Sequence, residues 1–510
     1  MKEEEYAADG TIVPRRWVPE PYMLRGVRWL LSHAGAGIFA DPGLCKTSIN
    51  LAALKVLKSE GMLGKGALVV APLRPLYNVW DPAGAESETR KWLDFHSMRY
   101  ALLHGDSKGH ALRTKSDVYL INPDGLPWFF NSVTPERVRG MVLVVDESTM
   151  FKHSNTQRFK LLRGWLPLFA RRWINTGTPS PNGLLDLFGQ IYVCDLGNAL
   201  GRYVSHYRFS FFQRTGYGGY TWVLQGDDEK AQAETEKRIY EKIEPLIFRL
   251  SEKDYLKLPR IHGSLAHGSG EPAMVRVKLP KEAMQKFGEM EDKFFIELDE
   301  GRVTNANAGV RHMRLRQIAN GGVYLDRELD AEGKPLPGKR RWALIHEAKN
   351  EAAAELAEQF DQRGVVIAIE FHHDVERLRM HPLFKNAPAI GEETPKHDRL
   401  ILADWNRKKI DHLIVQPAGF SKGSNAQRGG DLLIFHSMIW NFEDYDQLVR
   451  RFWRRGRTRP FYVRHLIAEG THDALMAARL QRKDRTQMGL LEALRAYSKR
   501  RPSRHSGKAR

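Results

Sequence analysis

The feature that most limits how this chain can fold is a series of short apolar runs separated by amphipathic stretches. Near-continuous apolar runs of this kind are typical of strands buried on both faces of a parallel sheet. In the first part of the chain these runs are Gly37–Ala40, Ala67–Ala71, Val118–Ile121, Met141–Val145 and Arg172–Asn175. We therefore predict that residues 1–195 form an α/β domain with helices on both sides of a parallel sheet.

The same alternation returns later in the chain. A helical pattern through Gln359 precedes apolar runs at Gly364–Ile369, Leu413–Val415 and Asp431–Phe435. This pattern predicts a second α/β domain over residues 346–475.

The segment between the two predicted domains, residues 196–345, is rich in aromatic and basic residues and carries helical charge patterns. We predict a largely helical, basic insertion with one short strand at Met274–Val277. Residues 476–510 end in a run of Lys and Arg and are predicted to form a disordered tail.

Size and charge restrict the class of protein. A chain of 510 residues exceeds the usual size of one hydrophobic core, so at least two domains are expected. Lys and Arg outnumber Asp and Glu by 79 to 61, a net charge of +18. This excess favours a polyanionic partner such as nucleic acid, although a merely basic surface is the alternative.

Two classes of protein are disfavoured by composition. The only two cysteines, Cys45 and Cys194, cannot build a disulfide framework or a Cys-rich metal site. No apolar run approaches the roughly 18–20 residues that span a bilayer, and the N-terminus does not resemble a secretory signal. We therefore expect a cytoplasmic protein.

A loop suited to phosphate binding follows the first apolar run, in Ala40-Asp-Pro-Gly-Leu-Cys-Lys-Thr47. Gly43 permits a tight turn, and the amides at the start of the following helix favour anions. Lys46 is placed to reach the β- and γ-phosphates, and Thr47 to offer its hydroxyl to Mg²⁺. Cys45 departs from the motif, which has Gly there, and a left-handed backbone would cost about 1–2 kcal/mol. An ordinary strand–turn–helix connection is the alternative.

A carboxylate pair, Asp146–Glu147, follows directly after the fourth apolar run. Carboxylates at the end of a buried strand are costly unless they meet a cation. We predict that Asp146 holds Mg²⁺ and that Glu147 orients and activates the attacking water. An acidic helix N-cap is the alternative. Together with the Lys46 loop, the pair predicts a site for a nucleoside triphosphate and Mg²⁺.

These motifs resemble those of the superfamily-two helicase-like ATPases, and most closely the Swi/Snf-like group in its compact bacterial and bacteriophage form. The stretches Arg249–Pro259 and Leu315–Gly322 are similar to segments characteristic of that group. The resemblance covers most of residues 20–475. It implies that the nucleotide is ATP and that the two α/β domains are RecA-like lobes.

The resemblance also implies where the adenine base and the nucleic acid are contacted. The segment Pro21–Leu30 resembles the stretch in which the family places a Gln that reads adenine. Met23 occupies that position here, so Tyr22 and Arg25 are the candidates for contact with the base. The residues implied in nucleic-acid contact or in coupling it to the nucleotide are Pro72, Arg74, Thr176, Thr178, Gly423 and Asn425.

The segment that contains Gln447, Arg451 and Arg454 resembles the arginine-bearing motif of the second lobe. The resemblance implies that these three residues act in catalysis. Because the two arginines are three positions apart, we expect them on one helix face, projecting together toward the phosphates. A basic helix that faces DNA or solvent is the alternative.

Taken as a whole, the resemblance implies a motor that hydrolyses ATP and moves on DNA, with duplex DNA as the expected track. Its contacts with phosphates would not depend on base sequence. Cys45 and Met23 motivate one alternative, a DNA-binding protein that has lost hydrolysis on the same scaffold. An RNA-directed helicase is another alternative.

Overall fold

The computed structural model describes residues 12–481, apart from residues 42, 85–86, 178, 181–182, 216–220, 251–254, 256, 266–270, 294, 300, 305–307, 328–329, 331, 333–335, 337, 361–363, 393–394 and 421–425. The predicted basic tail lies almost wholly outside this range. The chain forms two compact units, Met1–Lys257 with Lys422–Ser424, and Leu258–Ser421 with Asn425–Arg510.

The first unit is built on a seven-stranded sheet. Its strands are β1 (Gly35–Ala40), β2 (Ala67–Val70), β3 (Tyr100–Leu102), β4 (Val118–Ile121), β5 (Val142–Asp146), β6 (Arg171–Thr176) and β9 (Ile247–Leu250). They pair in the order β3-β4-β2-β5-β6-β1-β9, and every pair is parallel. An antiparallel hairpin, β7 (Phe212–Thr215) with β8 (Thr221–Leu224), lies outside this sheet.

Helices cover both faces of this sheet because its strands are apolar on both sides. Leu143 and Val145 of β5 belong to one buried cluster, and Val142 and Val144 belong to another. The helices of the first unit are Pro21–Ser32, Lys46–Ser59, Leu73–Pro75, Glu88–Lys91, Lys108–Arg113, Leu126–Ser132, Pro135–Val138, Gln157–Trp165, Leu187–Asp195, Val204–Phe211 and Glu229–Ile243.

The second unit has its own seven-stranded parallel sheet. Its strands are β10 (Ile261–His262), β11 (Met274–Val277), β16 (Gly364–Ala368), β17 (Ala389–Ile390), β18 (His412–Val415), β19 (Gly430–Phe435) and β20 (Phe461–Ala468). The order is β10-β20-β19-β16-β18-β17, and β11 also pairs with β20. Two antiparallel hairpins join β12 (Phe295–Leu298) to β13 (Gly301–Thr304) and β14 (Gly322–Tyr324) to β15 (Trp342–Leu344).

The helices of the second unit again pack on the sheet faces. They are Lys281–Asp292, Ala308–Asn320, Ala348–Gln359, His372–Leu378, Pro395–Asn406, Pro417–Phe420, Phe442–Phe452 and Asp473–Gln481. Within the described residues, none of the helices in either unit has the length and apolar character needed to cross a membrane.

The predicted fold class, two RecA-like α/β lobes with parallel sheets, is confirmed. Every predicted strand is present with ends that differ by at most two residues, and the helix predicted through Gln359 ends there. The structure adds detail within residues 196–345. This segment supplies β9 to the first sheet and both β10 and β11 to the second, and the two units divide inside it at Lys257.

Candidate functional site

The order of strands in the first sheet gathers the predicted nucleotide-site residues at one edge. Strands β2, β5, β6 and β1 are consecutive neighbours and run parallel, so their carboxyl ends lie at the same edge. The Lys46 loop follows β1, and Asp146 and Thr176 are the last residues of β5 and β6. This is the edge at which open α/β sheets bind their ligands.

The loop after β1 has the backbone expected of a phosphate loop. Gly43 has a φ of 87°, and Cys45, the N-cap of the helix Lys46–Ser59, is left-handed with a φ of 57°. Lys46 Nζ donates to the carbonyl oxygen of Ala40 at 2.8 Å, so its side chain folds back to the end of β1. Thr47 is the second residue of the helix. The first turn of the helix carries no acidic residue, which leaves its positive end available to an external anion.

A buried amide pair holds this helix against the sheet. Asn50 Nδ2 donates to the carbonyl oxygen of Lys46 at 2.8 Å and to Asn175 Oδ1, near the end of β6, at 3.0 Å. Both asparagines are fully buried. Asn50 was not predicted as a site residue, although an Asn inside the apolar stretch of a buried helix is a signal that could have found it.

The carboxylate pair follows β5, where Asp146 is buried and Glu147 is half-buried. Asp146 is 6% exposed and accepts a hydrogen bond from Trp80 Nε1 at 2.8 Å. Burial and the neighbouring Glu147 raise the pKa of Asp146 to about 6, while Trp80 and Lys46 oppose the shift. Among the described residues, Glu147 Oε2 is buried without a hydrogen-bond partner. Buried carboxylate oxygens in this condition fit a divalent cation, so Asp146 and Thr47 are suited to hold Mg²⁺.

Backbone strain is concentrated at the same edge. Four non-glycine residues of the described chain have a positive φ, and two of them are Cys45 and Glu147, each with a φ of 57°. A left-handed conformation costs a non-glycine residue about 1–2 kcal/mol and persists where the surrounding structure demands it. The two strained residues therefore lie at the same edge as the candidate site that the motifs indicate.

A second buried side chain joins the segment after β5 to the segment after β6. Ser148 Oγ donates to Gln190 Oε1 at 2.7 Å, and Gln190 Nε2 donates to the carbonyl oxygens of Pro179 at 2.6 Å and Asp186 at 2.8 Å. Gln190 was not predicted as a site residue. Its signal is a lone amide within the helix Leu187–Asp195, all of which is buried.

The residues predicted to couple nucleotide and nucleic acid are placed only in part. Thr176 is fully buried at the end of β6. Pro72 caps the short helix Leu73–Pro75 that follows β2, and Arg74 of that helix is half-buried. Thr178, Gly423 and Asn425 lie outside the described residues.

The candidates for adenine contact lie on the helix Pro21–Ser32. Met23, at the position of the family's Gln, is 2% exposed and packs in the core. The Tyr22 ring lies 4.7 Å from the ring of Tyr255, and Arg25 Nη2 donates to Tyr255 Oη at 2.8 Å. Tyr255 was not predicted as a site residue. It belongs to the stretch Arg249–Pro259 that carried part of the family resemblance.

In the second unit, the helix Phe442–Phe452 carries Gln447 and Arg451. Gln447 is buried and its Nε2 donates to Glu443 Oε1 at 3.2 Å, one turn earlier. Arg451 is half-buried in the last turn.

The prediction that Arg451 and Arg454 share one helix face is wrong, because the helix ends at Phe452. The backbone leaves the helical region at Trp453, where ψ is 88°. Trp453 Nε1 donates to the carbonyl oxygen of Pro259 at 2.8 Å, and this hydrogen bond holds the residue off the helical path.

Two neighbouring arginines of this segment are internal structural residues. Arg450 Nε lies 3.2 Å from Asp446 Oδ2, one turn earlier on the helix. Arg457 is buried, forms an ion pair with Asp431 and lies 4.6 Å above the Phe461 ring. Burial lowers the pKa of Arg457 to about 10, even though Asp431 opposes the shift. The alternative of a basic helix that only faces DNA or solvent does not hold for these two residues.

The sequence was also compared with protein families and with known proteins. Residues 22–320 match the family model described as the SNF2-related domain. The chain is 30% identical over 505 residues to "Putative protein p41" of Acyrthosiphon pisum secondary endosymbiont phage 1, covering 94% of this chain and 99% of that protein.

Two solved structures from Sulfolobus solfataricus are also similar. The SWI2/SNF2 ATPase core in complex with dsDNA is 21% identical, with 94% of this chain and 96% of that chain covered and a TM-score of 0.42. The SWI2/SNF2 ATPase core domain is 20% identical, with 94% and 92% covered and a TM-score of 0.39. Because the family model spans more than half of the chain, this protein belongs to the SNF2-related family.

Proposed function

We propose that this protein hydrolyses ATP in the presence of Mg²⁺ and uses the energy to move along double-stranded DNA. One observation carries the proposal: the Lys46 loop and the carboxylate pair Asp146–Glu147 lie at the same edge of a parallel sheet. Among the described residues, neither carboxylate forms an ion pair, so the edge has the charge that Mg²⁺ requires. Membership of the SNF2-related family supports ATP as the nucleotide.

Different residues of the first unit bind the phosphates, hold Mg²⁺ and orient the attacking water. The amides at the start of the helix Lys46–Ser59 bind the phosphates, and Lys46 exchanges its hydrogen bond with Ala40 for one with a phosphate oxygen. Thr47 and Asp146 hold Mg²⁺, which when bound neutralises negative charge on the phosphates. Glu147 accepts a hydrogen bond from the attacking water through its unpartnered Oε2 and orients that water for attack.

Residues outside this edge contact the adenine base and neutralise further negative charge on the phosphates. Tyr22 and Arg25 contact adenine, in place of the Gln that Met23 replaces. Arg451 and Arg454 add positive charge to the phosphates during hydrolysis, and Gln447 assists them. An arginine in this role is worth about 10³–10⁵ in rate in other phosphoryl-transfer enzymes.

The DNA is bound mainly through its phosphates. A net charge of +18 favours a polyanion, and binding then releases counterions from the nucleic acid. Pro72, Arg74, Thr176, Thr178, Gly423 and Asn425 are the residues that we propose contact the strand or couple it to the nucleotide. These contacts do not read bases, so binding is independent of sequence and weakens steeply with added salt.

The proposal is tested by measuring ATP turnover without nucleic acid and with duplex DNA, single-stranded DNA or RNA. We expect duplex DNA to stimulate turnover, and Glu147→Gln to lower it about 100-fold or more while the protein still binds nucleotide. Arg451→Ala and Arg454→Ala should lower the rate in the same assay. Glu241→Gln is the matched control, since Glu241 is exposed and its only ion pair among the described residues is with Lys237.

Each other result has a defined meaning. A wild-type rate in Glu147→Gln would remove this residue from its role. Salt-sensitive DNA binding without any ATP turnover would favour the alternative of a DNA-binding protein on the same scaffold, and stimulation by RNA alone would favour an RNA-directed helicase.

A further inference from the structure

A segment of the first unit that the nucleotide site does not use has an unusual composition. Residues 196–226 contain no Asp or Glu, carry three arginines and are rich in aromatic residues. Arginines supply charge for phosphates, and aromatic rings supply faces on which bases stack. This combination fits a nucleic acid better than a protein partner, because nothing in the segment would pair with a basic side chain.

The fold anchors one side of this segment and exposes the other. The helix Val204–Phe211 runs directly into β7, and its residues Tyr207 and Phe211 are buried together with Phe212 of β7. Tyr207 Oη donates to the carbonyl oxygen of Leu184 at 2.8 Å. Phe209 on the same helix is 65% exposed, the highest value for any Phe, Tyr or Trp in the described part of the chain. The exposed Phe209 ring therefore lies on a helix whose opposite side is packed in the core.

The surroundings of Phe209 suit a flat, anionic ligand. Its ring meets the Trp222 ring of β8 at 5.7 Å with an interplanar angle of 77°. A perpendicular contact engages at most one face of Phe209, which leaves a face for stacking. The guanidinium groups of Arg208 and Arg214 lie over the Trp222 ring at 5.6 and 5.1 Å. We call these four residues the Phe209 patch.

We propose that the Phe209 patch binds unpaired nucleotides of DNA, with a base stacked on Phe209 and the adjoining phosphates held by Arg208 and Arg214. In a continuous duplex the bases stack on one another, so an exposed ring finds a partner only where a strand is unpaired. This inference rests on the proposed function. It adds that the protein prefers duplexes that carry a single-stranded extension, as at a branch or an unfinished end.

The test is the affinity of the protein for two labelled DNAs, measured by fluorescence anisotropy. One is a duplex closed by hairpins at both ends, and the other is the same duplex with a single-stranded tail. We expect the tail to raise the affinity of the wild type by about fivefold or more, the lower limit for stacking of one base. Phe209→Ala should abolish this gain and leave the affinity for the closed duplex unchanged, whereas Phe209→Trp should keep the gain.

Two further variants sharpen the result. Leu400→Ala removes an exposed apolar side chain of the second unit, 57% exposed, and should retain the full effect of the tail. Arg214→Gln should weaken binding of the tailed DNA and lower its salt dependence by the equivalent of about one phosphate contact.

The inference and the proposed function fail in different ways. A wild type that binds the closed duplex and shows DNA-stimulated ATP turnover, but gains nothing from the tail, refutes the Phe209 patch alone. Equal losses for both DNAs in Phe209→Ala also refute it. A wild type that binds neither DNA refutes the proposed function.

Discussion

At the scale of single residues, the candidate site contains two side chains on backbone that disfavours them. Cys45 and Glu147 are both left-handed, one before the helix Lys46–Ser59 and one after β5. For Glu147, the conformation accompanies a buried carboxylate oxygen that has no hydrogen-bond partner among the residues the structure describes. The left-handed backbone of both residues lowers the stability of the fold and fixes their position at the site, which is typical of a site shaped for a ligand.

The strain at Cys45 leads to a stability prediction. Cys45→Gly should stabilise the protein by about 0.5–1 kcal/mol, because relief of about 1–2 kcal/mol of strain exceeds the added chain entropy of the unfolded glycine. Cys45→Ala is the matched control, since it removes the thiol but keeps the Cβ that causes the strain. Urea unfolding of the three proteins measures the difference. An equal gain in both variants would assign the effect to the thiol instead.

The residues that support the site were harder to predict than the residues of the site itself. Asp146 was identified from its place after an apolar run, whereas its hydrogen-bond donor Trp80 is distant in sequence and belongs to no motif. Tyr255 contacts both Tyr22 and Arg25, and although it lies in the stretch Arg249–Pro259 that supports the family resemblance, nothing in that stretch indicates this contact. Such partners become visible only when the chain is folded.

At the scale of elements, the helix Leu187–Asp195 links the ends of two site strands. Through Gln190 it holds Ser148, which follows β5, and the carbonyl oxygen of Pro179, which follows β6. A change in one segment therefore affects the other through a single buried amide.

This link predicts a coupling between two side chains. Gln190→Leu should destabilise the protein by about 1–3 kcal/mol, because it leaves buried polar groups of Ser148 and Pro179 without their partner. Ser148→Ala should cost less, because Gln190 keeps its two bonds to carbonyl oxygens. In a double-mutant cycle measured by urea unfolding, the two changes should be non-additive by about 0.5 kcal/mol or more. Strict additivity would show that the hydrogen bond contributes nothing.

The helix Phe442–Phe452 shows the limit of arguments from spacing. The residue spacing placed Arg451 and Arg454 on one face, on the assumption that the helix continued past both. The helix instead ends at Phe452, and the next residue, Trp453, forms a tertiary hydrogen bond with Pro259. The role proposed for the two arginines therefore stands on the family resemblance and not on a shared helix face.

At the scale of the whole molecule, the two units differ in their buried ionisable groups. All of the fully buried histidines in the described residues belong to the second unit: His312, His346, His373, His436, His465 and His472. Burial lowers the pKa of His312, His346 and His436 to about 3, and that of His465 to about 4. Lys349 and Arg377 add to the shift at His346 and His436.

These histidines predict that the second unit is the more sensitive to acid. For His312, His346, His436 and His465 the folded-state pKa lies below the unfolded value of about 6.5, so the contribution of these four residues to stability is fully present above that pH. As the pH falls from about 6.5 toward 3, these histidines become protonated in the unfolded chain but stay neutral in the folded chain. Each such histidine then removes about 1.4 kcal/mol of stability per pH unit.

Hydrogen exchange followed by mass spectrometry, corrected for intrinsic rates, measures this at about pH 7.5 and pH 5. We expect peptides from β16 and β19 to lose protection, while peptides from β2 and β5 of the first unit serve as the internal control. Equal loss in the two units would contradict the prediction.

The sequence by itself determined the strands, the fold class and the residue types of the nucleotide site. Apolar runs such as Val142–Val145 and the loop around Lys46 are local properties, which can be recognised without knowing what lies beside them. Only the tertiary structure decided the strand order β2-β5-β6-β1, which brings Lys46 and Asp146 to the same edge of the sheet, with β6 between their strands. It also decided that Glu147 Oε2 has no hydrogen-bond partner within the described part of the chain, that Phe209 is exposed and that the helix Phe442–Phe452 ends before Arg454. Each of these depends on contacts between residues far apart in the chain, and such contacts leave no local pattern.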